Sequence, residues 1–194
     1  GPESIIFMLV FMALTYFVVS RGVKGGIEKA NLVMMPALII MAAGVAIYAL
    51  TLPGAIEGLS YYFVPDFSAF SPELVISALG QTFFTLSLAM GIMVTYGSDL
   101  DKTSKLTSSV GQIAGTTFGV SLLAGLMIIP AAFAAMGSGE AVAENSGPTL
   151  MFVVLPQVFG GLGDMAPIIG GVFFILVLFA ALTSSISLVE TCTA

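Results

Sequence analysis

Histidine and tryptophan are both absent from this sequence of 194 residues, and a single cysteine, Cys192, is present. Histidine is the side chain that changes charge near neutral pH and the commonest protein ligand for metals, so its absence removes both roles. One cysteine cannot form a disulfide bond within the chain. We therefore expect no catalytic metal site.

Charged side chains are also scarce. Only 8% of the residues are charged, whereas 58% are hydrophobic, and the mean hydropathy is +1.10. A soluble domain carries roughly a quarter charged residues, so much of this surface must face lipid. The composition predicts an all-α integral membrane protein in contact with the lipid bilayer, with no nucleic-acid partner.

Five apolar segments approach the roughly 20 residues that a helix needs to cross the hydrocarbon core. We expect residues 1–194 to form a single transmembrane unit with helices at about 4–21, 30–51, 72–97, 106–136 and 165–192. Glycine and proline interrupt residues 137–164, and this predicts an extracellular loop or lid at that position.

The basic residues indicate the orientation of the chain. All five lie in two loops, one with Arg21, Lys24 and Lys29 and the other with Lys102 and Lys105. If every segment crosses the membrane, both loops lie on one side, which the positive-inside rule makes cytoplasmic. We expect a multi-pass protein of the cell (inner) membrane with its N-terminus outside. An odd number of spans beginning outside also predicts a fragment of a longer protein.

Polar and small side chains interrupt the third apolar segment, 72–97. Gln81 and Thr85 are four residues apart and share a helix face, and small residues follow at Ser87, Ala89 and Gly91. Such residues allow close packing between membrane helices. Alternatively, the helix unwinds between Ser87 and Gly91 and offers backbone groups to a ligand, as discontinuous transporter helices do.

The last apolar segment carries a group of neutral oxygen atoms. Thr183 and Ser184 lie three and four residues after Ala180, so both hydroxyls are beside the Ala180 carbonyl. These hydroxyls either bond back to the helix and bend it, or bind a hard monovalent cation together with oxygens from another segment. In the fourth segment, Thr117 and Ser121 also share a face, beside glycines that favour helix packing.

Four stretches of the chain resemble the neurotransmitter:sodium symporter family, specifically its bacterial amino-acid transporters with the leucine-transporter-like fold. They are GVKGGIEKANLVMMPALII at 22–40, GQTFFTLSLAMGIMVTYGSDL at 80–100, AGLMIIPAAFA at 124–134 and FAALTSSISLVE at 179–190. They are similar, in order, to the fifth to eighth helices of the family. The resemblance implies an inverted-repeat transporter fold with one discontinuous helix, of which this chain holds helices four to eight.

The resemblance also implies two sodium sites. Ala180, Thr183 and Ser184 match one of them, and Thr85 with Thr117 matches the other. The remaining ligands would come from the first helix of the family fold, which has no counterpart in this chain.

Substrate and chloride residues are implied in the same way. The residues that match the amino-acid pocket are Phe84, Thr85, Ser87, Ala89, Met90 and Ser185. The residues that match a chloride site are Gln81, Thr85 and Ser121. Ala89 and Met90 stand where the family often has Gly and Phe, and methionine adapts its shape readily, which favours a neutral, hydrophobic amino acid.

The function implied is sodium-coupled symport of such an amino acid by alternating access, with sodium and also chloride as ions and with the missing helices of the parent transporter as partners. The alternative is a non-transporting membrane fragment that associates only through helix packing. A channel is disfavoured, because no span offers the acidic ring that a cation pore would need.

The topology is testable with single cysteines in a Cys192→Ser background. Lys24→Cys and Lys102→Cys should resist a membrane-impermeant maleimide added to intact cells, because both loops are predicted to be cytoplasmic. Glu57→Cys, on the opposite side, should react and serves as the control. Labelling of position 24 or 102 from outside would show that the orientation is the reverse of the predicted one.

Overall fold

The computed structural model describes residues 2–20, 27–88, 91–98, 106–144 and 147–193. Within these ranges the chain forms nine α-helices and no β-strand. The helices are α1 (Pro2–Ser20), α2 (Ile27–Leu50), α3 (Ala55–Phe63), α4 (Pro72–Thr85), α5 (Ile92–Ser98), α6 (Leu106–Met136), α7 (Gly139–Glu144), α8 (Pro148–Gly160) and α9 (Ala166–Thr193). Two short 3-10 helices, Phe67–Ala69 and Gly163–Met165, precede α4 and α9.

Four stretches of the described chain are long and apolar enough to cross a membrane. They are Glu3–Ser20, Leu32–Leu50, Leu106–Met136 and Gly163–Val189. The remaining predicted span is divided between α4, with 14 residues, and α5, with 7. At about 1.5 Å per residue, neither covers the roughly 30 Å of a hydrocarbon core. The predicted all-α fold of about five membrane segments, one of them discontinuous, is confirmed.

The hydrophobic core lies at one end of the bundle, where α2, α6, α8 and α9 meet. Each helix contributes fully buried side chains, among them Ala49, Ala131, Leu155 and Phe173. These positions lie near the ends of α2 and α6 and near the beginning of α9, on the side predicted to be extracellular. By contrast, α4 has no buried residue, so packing within the described chain is concentrated at one end.

Residues 137–164, predicted to be an extracellular loop or lid, contain α7 and α8. With 13 residues, α8 is too short to span the bilayer. Val154 and Leu155 are nevertheless fully buried, and the Phe159 ring lies 5.5 Å from the Phe173 ring. α8 is thus part of the core, and its function as a lid stays a prediction.

α3 packs on α6 through a glycine. A Cβ atom at Gly58 would lie 2.8 Å from the Cα atom of Pro130 and 3.0 Å from the Cβ atom of Phe133. The next turn of α3 places the Tyr61 ring 5.2 Å from the Phe133 ring, and the Tyr62 hydroxyl lies against Gly125. The approach of the two helices therefore depends on the missing side chain at position 58.

Candidate functional site

α4 ends in a hydrogen-bonded cap that interrupts the membrane segment. The Ser87 N–H donates to the Phe84 carbonyl and the Leu88 N–H donates to the Phe83 carbonyl, each at 3.0 Å. This pair of bonds is the Schellman motif, which satisfies the last carbonyls of a helix. The motif requires a left-handed backbone conformation at the residue before Leu88. This residue is Ser87, with φ of 54°.

A left-handed serine is an unusual helix terminator, because glycine normally occupies this position. A residue with a Cβ atom loses roughly 1–2 kcal/mol in the left-handed region. Gly91, with φ of 75°, follows immediately before α5. The predicted interruption between Ser87 and Gly91 is confirmed, while Ala89 and Met90 lie outside the described residues. Backbone strain of this kind is concentrated at functional sites.

On α9, three oxygen atoms lie together. The Thr183 hydroxyl donates to the Ala180 carbonyl at 2.9 Å, and the Ser184 hydroxyl donates to the same carbonyl at 3.1 Å. Both hydroxyls therefore bond back to their own helix, which is the first of the two alternatives given by the sequence. Each hydroxyl uses its one proton in that bond and keeps its oxygen lone pairs, so the Thr183 and Ser184 oxygens can still bind a cation. The Ala180 carbonyl oxygen accepts both bonds and becomes available to a cation when one of the hydroxyls turns away from it.

The oxygen cluster of Ala180, Thr183 and Ser184 is open on one side. Ala180 and Thr183 are half-buried and Ser184 is exposed, so another segment has room to add ligands. Within the described ranges, no group of three or more His, Cys, Asp or Glu side chains is placed to hold a metal ion. A cation at this position would therefore be bound by neutral oxygens.

A second group of polar side chains lines a cavity of about 370 Å³ between α4 and α6. The cavity brings together the residues predicted for chloride and for the second sodium ion, Gln81, Thr85, Thr117 and Ser121. The Thr85 hydroxyl donates to the Gln81 carbonyl at 2.8 Å, which keeps the Thr85 oxygen beside the cavity with free lone pairs.

Thr82 also lines this cavity, although sequence reasoning did not select it. Its hydroxyl donates to the Ala78 carbonyl at 2.8 Å. Thr82 and Thr85 are three residues apart, and this spacing places them on one helix face. The same spacing rule that paired Gln81 with Thr85 could therefore have found Thr82.

Ser185, predicted for the amino-acid pocket, faces a different helix. Its hydroxyl oxygen lies 3.2 Å from the hydroxyl oxygen of Thr15 on α1. Successive residues of a helix are rotated by about 100°, which turns Ser185 away from the oxygen cluster. Phe84, at the end of α4, is exposed.

Thr15 is a second residue that sequence reasoning missed. It is 2% exposed and is the single buried polar side chain among the residues whose burial is described. Its signal in the sequence is a threonine near the middle of the first apolar segment, where no other serine or threonine lies between Ser4 and Ser20.

The helix interruption contacts α9 through Gly91. A Cβ atom at this position would lie 3.0 Å from the Cγ2 atom of Thr191. Thr191 follows Ser184 by seven residues, which is about two helical turns. Gly91 thus connects the interrupted segment to the helix that carries the oxygen cluster.

Comparison with known proteins gives one family throughout. The sequence profile of the sodium:neurotransmitter symporter family matches residues 3–194. The uncharacterized sodium-dependent transporter YhdH of Bacillus subtilis is 45% identical over 192 residues, which are 97% of this chain and 40% of that protein. An uncharacterized sodium-dependent transporter of Haemophilus influenzae is 41% identical over 190 residues, again 97% of this chain and 40% of the relative.

A solved structure has the same fold. The crystal structure of MhsT in complex with L-phenylalanine matches with a TM-score of 0.86 and 44% identity, and the match covers 96% of this chain and 41% of that chain. This chain therefore spans about 40% of the length of the relatives that it matches.

Gly91→Ala should destabilise the protein by about 1 to 2 kcal/mol, because a Cβ atom is unfavourable in the left-handed region. The contact with Thr191 adds to this effect. Gly97→Ala in α5 is the matched control, since a Cβ atom there meets nothing within 4 Å. The measurement is thermal unfolding of both purified variants in the same detergent. Equal melting temperatures would show that the interruption does not require glycine.

Proposed function

The chain belongs to the sodium:neurotransmitter symporter family, and we propose from this that it forms part of a sodium-coupled symporter for a neutral, hydrophobic amino acid. The observation that carries the proposal is the oxygen cluster of α9, with its two hydroxyls 2.9 and 3.1 Å from the Ala180 carbonyl. A small hard cation exchanges its water shell for oxygen ligands. Three of these are present here, and segments beyond this chain would supply the others.

The proposed substrate site lies at the helix interruption. An interrupted membrane helix frees backbone N–H and carbonyl groups, and transporters use such groups to bind the charged ends of a substrate. The proposed pocket residues are Phe84, Thr85, Ser87, Ala89, Met90 and Ser185. A hydrophobic substrate is supported by the relative MhsT, 44% identical, which was crystallised with L-phenylalanine.

Transport is proposed to proceed by alternating access, in which one part of the fold moves against another around a fixed site. The unequal packing of the helices in the described chain supports this mechanism. α8 is packed into the core, whereas α4 has no buried residue. We propose that residues 137–164 cover the extracellular side, and that the protein lies in the cell membrane with its N-terminus outside.

Sodium dependence is testable at Thr183. In a full-length transporter that carries this segment, Thr183→Val keeps the side-chain shape and removes one oxygen ligand. An unmade buried polar interaction costs about 1–3 kcal/mol, which corresponds to roughly 5- to 150-fold weaker sodium affinity. The measurement is the sodium concentration that gives half-maximal amino-acid uptake.

Thr183→Ser is the control, because it retains the hydroxyl and should change the sodium dependence much less. If Val and Ser both leave the half-maximal concentration unchanged, the Thr183 hydroxyl only bonds its own helix and the sodium site is wrongly assigned.

Chloride is proposed as a further ion at the cavity between α4 and α6. Gln81, Thr85 and Ser121 line this cavity. The Gln81 amide and the Ser121 hydroxyl can donate hydrogen bonds to an anion, and the Thr85 hydroxyl can do so when it exchanges its bond to the Gln81 carbonyl for the anion. None of the described residues that line the cavity carries a carboxylate. An anion could therefore balance the charge of bound sodium, since unpaired charge is costly at membrane depth.

Ser121→Glu should make transport independent of chloride, because it supplies a fixed negative charge at the same place. The measurement is uptake with chloride replaced by gluconate. Ser121→Gln, whose side chain is as large as that of Glu but neutral, should keep the chloride requirement. Chloride dependence that is the same in the Glu variant and in the unmodified transporter would contradict the assignment.

A further inference from the structure

α1 has one narrow buried stripe, and the stripe faces α9. Thr15 is buried, and Phe11, Val18 and Val19 are half-buried, whereas most of α1 is exposed. These four residues are spaced as one face of a helix. α1 contacts α9 in the described chain, and the buried hydroxyl of Thr15 lies at the centre of this contact.

The hydrogen bond between Thr15 and Ser185 has a defined direction. The Thr15 hydroxyl donates its one proton to the Phe11 carbonyl at 3.0 Å. Only a lone pair of Thr15 is then available to Ser185, whose oxygen lies 3.2 Å away. Both bonds form together when Ser185 donates to Thr15, and the Ser185 side chain is directed to α1.

This bond restrains the rotation of α9 about its axis. Helices in lipid associate without a hydrophobic driving force, so close packing and interhelical hydrogen bonds determine how they face each other. Ser185 follows Ser184 directly, and Thr183 precedes both. If Ser185 is held against α1, the direction of the oxygen cluster is determined by the helical rotation of about 100° per residue.

We propose that Thr15 is a positioning residue for the α9 sodium site: through its hydrogen bond to Ser185 it keeps Ala180, Thr183 and Ser184 facing the segment that completes the site. Thr15 touches neither the ion nor the substrate in this arrangement. The inference rests on the proposed function, since it requires that the oxygen cluster binds sodium.

The test uses the full-length transporter that carries this segment and compares Thr15→Val with Thr15→Ser. Valine has nearly the same shape and lacks the hydroxyl, whereas serine retains it. Interhelical hydrogen bonds in membranes are worth about 0.6 kcal/mol on average, which corresponds to a rise of about threefold in the half-maximal sodium concentration. The substrate concentration for half-maximal uptake at saturating sodium should stay unchanged, and Thr15→Ser should restore the sodium dependence.

Two further variants separate positioning from a general loss of stability. Ser185→Ala removes the other half of the bond. Because Ser185 is also a proposed pocket residue, the half-maximal sodium concentration is measured at saturating amino acid, where it should rise to the same extent, and the double variant should raise it no further. Ser20→Ala is the matched control on α1, because its hydroxyl is exposed and bonds only the Phe17 carbonyl of its own helix. It should leave sodium dependence unchanged.

The outcomes distinguish the inference from the function on which it rests. If Thr183→Val raises the half-maximal sodium concentration and Thr15→Val does not, the positioning role is wrong and the sodium site stands. If neither variant changes it, the sodium site itself is wrong and the inference fails with it. The inference is also wrong if Thr15→Val and Ser185→Ala each raise the half-maximal sodium concentration and the double variant raises it by the product of the two effects. Should a variant not transport, sodium-dependent binding of labelled amino acid to purified protein gives the same comparison.

Discussion

In a bilayer, every backbone and hydroxyl group must be satisfied without water, and the site is built around this constraint. The last carbonyls of α4 are capped by Ser87 and Leu88, so the helix can stop inside the membrane segment. The hydroxyls of Thr85, Thr183 and Ser184 each donate to a carbonyl three or four residues earlier. Such bonds satisfy the protons in an apolar surrounding and leave the oxygen lone pairs available to an ion.

The described chain has a densely packed end and a sparsely packed end. At the core, Ala131, Leu155 and Phe173 are buried by neighbouring helices of the same chain. α4 and the oxygen cluster of α9 have polar groups but few covering neighbours. Polar groups at membrane depth face a cavity or another helix.

Several features of the fold could be predicted from single stretches of sequence. The small residues after Thr85 left two interpretations, close packing or an interruption, and the resemblance to the transporter family implied the interruption. The three oxygens of α9 follow from the spacing of Ala180, Thr183 and Ser184 within one helix. The bond between Thr15 and Ser185 could not be predicted, since it joins residues 170 positions apart. The burial of α8 was also missed, because its length excludes a span but does not show what packs against it.

The sequence by itself determined that the protein lies in lipid and about how many membrane segments it has. These properties depend on hydropathy and on periodicity within a helix, both of which are local. Only the tertiary structure decided which face each helix presents to its neighbours: that Ser185 turns to α1, that Thr117 and Ser121 meet Gln81 and Thr85 at one cavity, and that α8 completes the core. Rotation of one apolar helix against another changes little in its exposure to lipid, so close packing and a few interhelical hydrogen bonds choose among orientations that the sequence pattern leaves equivalent.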